Sequence, residues 1–124
     1  MNMRYIISES KYDNFIYEYI DKLFPREHLN FGSPYITDEQ GNEVEDKDRV
    51  EFWFDVGRDE DVCFRWYGCD YFYSNAPLKQ HCPFVILENI YDNKLNSLFQ
   101  DSWKPIFKKW FTNNSGLPIK TVLE

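Results

Sequence analysis

Residues 50–67 constrain the fold more than any other stretch of the chain. Val50, Phe52, Phe54 and Val56 alternate with Glu51, Trp53 and Asp55. After a polar stretch, Gly57 to Asp61, the residues Val62, Phe64 and Trp66 alternate with Cys63, Arg65 and Tyr67. A β-strand turns successive side chains to opposite faces, so two adjoining runs of period two specify an antiparallel hairpin with one apolar face. Pairing Val56 with Val62 sets Phe54 against Phe64 and Phe52 against Trp66 on that face. The same pairing puts Trp53 opposite Arg65 on the other. Gly68 marks a bulge, a bend or the strand end.

The flanking sequence adds helices at both ends. Arg4 to Ile7 is short and apolar and reads as a first strand. Ser10, three residues before Asp13, forms an imperfect capping box that opens a helix. Tyr12, Phe15, Ile16, Tyr19, Ile20 and Leu23 fall on one helical face, with Asp13, Glu18 and Asp21 opposite. Pro25 ends this helix, having no N–H to continue the ladder. From Tyr35 the period drops toward two, and Glu39-Gln40-Gly41-Asn42 reads as a hairpin turn in which Gly41 supplies a positive φ. Glu43 to Asp48 is a charged connector. Tyr71-Phe72-Tyr73 resumes a strand, and Asn75-Ala76-Pro77 is a loop. Phe84 to Leu87 is a continuous apolar run, as in a buried strand. Asp92 to Phe99 is helical with Leu95, Leu98 and Phe99 inward. Ser102 caps a last helix that tolerates Pro105 in its first turn and buries Trp103, Ile106, Phe107, Trp110 and Phe111. Gly116 is its C-cap, and Leu117 to Leu123 returns as a terminal strand. Consecutive strands with helices segregated to the ends specify an α+β fold: a mainly antiparallel sheet with one N-terminal helix and two C-terminal helices.

The 124 residues are the size of one domain, 1–124. Aromatics make up 19 % of them, so the core is aromatic-dominated. The net charge of −7 repels phosphate and anionic lipid, which argues against direct nucleic-acid or membrane binding and favours plain solubility or a basic partner. Ile6-Ile7 is followed at once by polar residues, so no signal peptide is expected, and no run approaches the ~20 apolar residues of a membrane span. Three irregularly spaced cysteines without an export signal are expected to be reduced thiols in a cytoplasmic protein. On the same ground, the glycosylation acceptor Asn113-Asn114-Ser115 is one by letter only.

Chemistry-bearing residues are present without the spacing that chemistry needs. Cys63, Cys69, His81 and Cys82 are the candidate metal ligands, but structural zinc takes ligands as two closely spaced pairs, and an extended strand would hold Cys63 and Cys69 about 20 Å apart. Neither His28 nor His81 stands in a nucleophile–base signature with a cysteine. Asp38, Glu39, Glu43, Glu45, Asp46 and Asp48 lack the ordered spacing of a calcium loop and read as a solvated hairpin and connector. Lys104, Lys108 and Lys109 project from the helix face opposite Trp103, Trp110 and Phe111, so no basic–aromatic nucleic-acid patch is formed. No catalytic residue, metal or cofactor is therefore expected.

The second face of the 50–67 hairpin carries the functional expectation. It presents Glu51, Trp53, Asp55, Cys63, Arg65 and Tyr67. One account covers this face partly with helix and leaves a cation–π and ion-pair cluster at its rim. The other leaves it open, displaying Trp, Tyr and Arg, the residue types that anchor protein interfaces. Tyr17, among the acids of the first helix, is a further aromatic placed for contact rather than for folding.

The opening Arg4-Tyr5-Ile6-Ile7-Ser8-Glu9-Ser10-Lys11-Tyr12 resembles the start of many small uncharacterised proteins of tailed phages. The ending, Trp110-Phe111 through Gly116-Leu117-Pro118-Ile119-Lys120-Thr121-Val122, is loosely similar as well. The abundance of Asn, Ile, Lys, Tyr and Phe is what an AT-rich genome encodes. The resemblance covers the two ends only and brings no assigned activity. It implies a phage or bacterial accessory protein acting on host machinery in the host-cell cytoplasm. The expected function is a noncatalytic acidic protein that binds a basic protein partner as regulator or inhibitor, in the manner of an anti-defence or toxin-immunity protein. The alternative is a small enzyme or ligand-binding domain with a pocket between sheet and helices.

Overall fold

The predicted hairpin forms the middle of the sheet. In the computed structural model, residues 3–56, 59–70 and 79–123 are described, with side chains from Lys11 onward except at 55, 56 and 59–61. The elements run α1 (Met3–Leu23), β1 (Leu29–Gly32), β2 (Tyr35–Thr37), β3 (Glu43–Glu45), β4 (Arg49–Val56), β5 (Asp59–Tyr67), β6 (Phe84–Leu87), α2 (Asn89–Phe99), α3 (Trp103–Ser115) and β7 (Thr121–Leu123). Five strands make one sheet in the order β1-β4-β5-β6-β7, antiparallel throughout except for the β6–β7 pair, and β2 and β3 form a separate two-stranded ribbon. The fold is thus α+β, with one N-terminal helix and two C-terminal ones.

The pairing within the hairpin differs from the sequence expectation by two residues. Phe52 pairs with Phe64 and Val50 with Trp66. A two-residue slip changes partners without changing faces, so Val50, Phe52, Phe64 and Trp66 still share the core face. β5 also begins earlier than the apolar pattern does: Asp59 to Asp61, expected as loop, pair with Val56 to Phe54. Beyond Phe52 the register shifts, and Trp53 pairs with Val62. Cys63 is left as the extra residue of a β-bulge. The bulge turns Cys63 into the core beside Phe64 and carries Val62, expected inward, to the Trp53 side.

α1 corrects two further expectations. Arg4 to Ile7 is helix, not strand, and Ser10 lies within the helix instead of capping it. No Gly or Pro interrupts the chain from Met3 to Phe24, and two isoleucines cost a helix only tenths of a kcal/mol. From Lys11 onward the buried residues are Ile16, Ile20 and Phe24, while Tyr12 and Phe15 are exposed, so the inward face is rotated from the one expected. Phe24 is the hub: its ring meets Phe54, Phe64, Tyr91, Phe107 and Trp110 at centroid distances of 5.1–6.2 Å. α3 packs from the same side, with Phe111 on Phe52 and Phe107 on Phe64, and buries the five-residue stripe expected of it. α2 joins this layer through Phe99, ringed by Tyr12, Phe15 and Tyr19. Its Leu98, expected inward, is exposed, and Asp92 is buried in its place.

The rotation of α1 gives Asp21 a structural role. Its carboxylate accepts a 3.0 Å hydrogen bond from the indole N–H of Trp110, a core residue. Asp21→Ala should therefore cost about 1–3 kcal/mol in a urea melt, because it strands a buried donor. A silent substitution would show that the indole finds water.

Smaller features agree with the sequence. Asp38 closes the β2–β3 turn by accepting from the N–H groups of Gln40 and Asn42, and Gly41 adopts φ 84°. Gly116 caps α3 with φ 72°. Glu43 to Glu45, expected as connector, is strand β3. Ser102 stands at the start of α3 without a side-chain cap bond. The expected strand 71–73 and loop 75–77 lie outside the described residues.

Candidate partner-binding face

With α1, α2 and α3 packed as one aromatic layer, the alternate strand residues form the other face of the sheet. Glu51, Trp53, Val62, Arg65, Tyr67 and Ile86 remain partly exposed there. Cross-strand pairing aligns Gly32, Glu51, Arg65 and Ile86 in one row. Asn30, Trp53 and Val62 form the row beside it. Trp53 leans over β1: a Cβ added at Gly32 would lie 3.3 Å from its indole ring. The glycine therefore lets the outer edge of a large aromatic approach an edge strand closely.

Arg65 is held at the centre. Its Nε donates to Glu51 Oε2 at 2.9 Å and its Nη1 donates to Glu88 Oε1. Burial works against its charge, but the hydrogen bonds to Glu88 and Glu51 and their charges prevail, raising the pKa. Each pair is about one-third exposed and worth at most about 1 kcal/mol to stability, so the cluster orients the guanidinium more than it stabilises the fold. Tyr67 lies near Phe84, with ring centroids 5.2 Å apart.

The expected site residues are thus partly reunited. Glu51, Trp53, Arg65 and Tyr67 share the face, though Trp53 stands opposite Val62 and Arg65 opposite Glu51. Asp55 occupies the next outward register position of β4, and its side chain lies outside the described residues. Tyr17 is elsewhere, on the helical side of the sheet, where its hydroxyl accepts from Asn113 Nδ2 at 3.1 Å. Cys63 leaves the face altogether through the bulge. Val62 and Ile86 join it, the first because of a bulge that no residue pattern announces.

The cysteines do not match the expectation of three reduced thiols. Cys69 and Cys82 form a disulfide with their Cα atoms 5.0 Å apart, which removes two of the four candidate metal ligands as thiolates. Cys63 is the free thiol. Its Sγ donates to the carbonyl of Phe52 at 3.2 Å, and burial pushes its pKa up to about 12, so it is not a thiolate at neutral pH. Among the described residues no three His, Cys, Asp or Glu side chains converge as a metal site, and no helix is long and apolar enough to cross a membrane. The acids of the 38–48 segment divide in two. Asp38, Glu39, Glu43 and Glu45 sit in the exposed ribbon and its turn, whereas buried Asp46 accepts from the N–H of Asp48 and shapes the next turn. The carboxyl of Asp48 is held above its ordinary pKa by burial and by the charges of Asp70 and Asp46. The chain matches no family model, no curated protein and no solved structure.

Proposed function

We propose that the chain is a noncatalytic binding protein whose sheet face turned away from α1, α2 and α3, centred on Trp53, Arg65 and Tyr67, docks onto a basic protein partner as an inhibitor or regulator. The observation that supports this is the orientation of Trp53. A half-buried indole reaches over a glycine beside an arginine fixed by two carboxylates, an aromatic–arginine pair of the type enriched at interface centres. The two carboxylates around one guanidinium leave the cluster net negative, and the whole chain carries −7, so electrostatic steering favours a cationic surface.

Trp53→Ala tests the reading. The indole is only half buried, so the expected stability loss is about 1–2 kcal/mol, below the ~3–5 kcal/mol of a core tryptophan. Capture of a partner from host lysate should fall at least about tenfold, as for an interface anchor, and capture by the parent protein should weaken with added salt. Tyr67→Ala should behave alike. Undiminished capture by folded Trp53→Ala protein would remove this face from consideration.

A further inference from the structure

We propose a second binding site, independent of the partner-binding face and on the opposite side of the sheet: a cavity that takes one small aromatic carboxylate. The cavity lies between β1, β4 and the C-terminal part of α3, is partly open to solvent and has a volume of about 160 Å³. Its floor is Phe52, Trp110 and Phe111, its walls include Leu29 and Phe31, and Arg26 stands at its rim.

Three observations select the ligand class. The first is size. An apolar cavity of about 150 Å³ accommodates one benzene, and this partly open one is of that size. The second is shape and polarity. Phe52 already meets Phe31 at 5.8 Å and Phe111 at 5.5 Å between ring centroids, so a flat apolar ring entering here finds aromatic faces and edges on several sides. The polar wall residues are already engaged with the helix: Asn114 Nδ2 donates to the carbonyl of Trp110, and Ser115 Oγ to that of Phe111, each at 2.7 Å. The third is charge. Arg26 is exposed and enters no ion pair among the described residues; the cations that do are Arg49, Arg65 and Lys104. A single guanidinium matches a planar monoanion, which it binds through two parallel N–H donors. A phosphate dianion would leave a charge uncompensated on a chain that is already at −7. Phe31, 69 % exposed on an edge strand, stands on the solvent side of the cavity.

The test uses benzoate as probe, with benzamide as the neutral isostere and acetate as the head group alone. Binding is read by NMR at the Trp110 indole N–H. Benzoate should shift this resonance saturably below about 10 mM, a modest affinity for so small a ligand. Benzamide should bind more weakly, and acetate should leave the resonance in place. Arg26→Ala should weaken benzoate at least about tenfold, the scale of a charge-assisted hydrogen bond, and leave benzamide unchanged. Leu29→Phe, filling the cavity, should abolish both; should that variant fail to fold, Arg26→Ala, at an exposed position, still decides. The absence of a saturable shift with benzoate would overturn the proposal, as would equal binding of benzoate and benzamide, or an Arg26→Ala protein that holds benzoate as tightly as the parent.

Discussion

Ile16→Asp should leave the chain unfolded in water at room temperature. Ile16 is 0 % exposed and packs in the aromatic layer with Ile20 and Phe24. Truncating such a side chain alone costs about 2–5 kcal/mol, and a carboxylate there has no cationic partner, which adds several more. The sum reaches the ~5–15 kcal/mol that stabilises a typical domain. Phe15→Asp is the control one position away. Phe15 is 59 % exposed, and the ring contact it makes with Phe99 is worth about 0.5–1.5 kcal/mol. Urea melts of the two variants separate the faces. If Phe15→Asp unfolds the protein and Ile16→Asp does not, α1 packs through its Tyr12, Phe15 and Tyr19 edge and not through Ile16, Ile20 and Phe24.

That comparison also shows where the sequence stops short. Apolar residues at 12, 15, 16, 19, 20 and 23 cover a stripe wide enough to be centred on either edge, and the pattern cannot choose between them. Phe24 makes the choice. It falls one residue past the end of the helix, where Pro25 punctuates the chain, yet its ring fills the space between Phe64 and Trp110. Only the tertiary contact reveals that Ile16, Ile20 and Phe24 form the seam. The buried stripe of α3 was legible because its five large side chains fit a single face with no competing stripe.

The sheet was legible in its faces but not in its register. Period two fixes which residues look the same way; turn position fixes who stands opposite whom, and the charged residues 59–61 conceal where β5 begins. The bulge at Cys63 leaves no mark in composition, so its burial and the outward move of Val62 were both invisible. Glu51, Trp53, Arg65 and Tyr67 still share a face because a slip of two changes partners and not sides. The cavity at Arg26 was illegible for another reason: its lining comes from the segment after α1, two strands and α3, and none of these carries a local signal for it.

Thiol counting should give none in the native protein, one after denaturation without reductant and three after denaturation with reductant. β5 and β6 pair with Tyr67 opposite Phe84, and Cys69 and Cys82 each lie two residues further out along the same register. The antiparallel ladder thus delivers the two Cα atoms to 5.0 Å, within the span of a disulfide. Cys63 supplies the single thiol released on denaturation; in the native state its burial and its pKa of about 12 withhold the thiolate that reacts. Closing a loop across a sequence separation of 13 restricts the unfolded chain, and on the chain-entropy scale this stabilises the fold by about 3 kcal/mol. Reduction, or Cys69→Ser, should therefore lower the urea midpoint with little change in far-UV circular dichroism, since the ladder itself stays hydrogen-bonded. The outcome carries over to compartment. A cytosol keeps thiols reduced, so a chain working there would forgo this stabilisation, whereas an oxidising compartment would keep it. Three reactive thiols after denaturation without reductant, in protein purified under air, would dispose of the cross-link and restore the reading of three reduced cysteines.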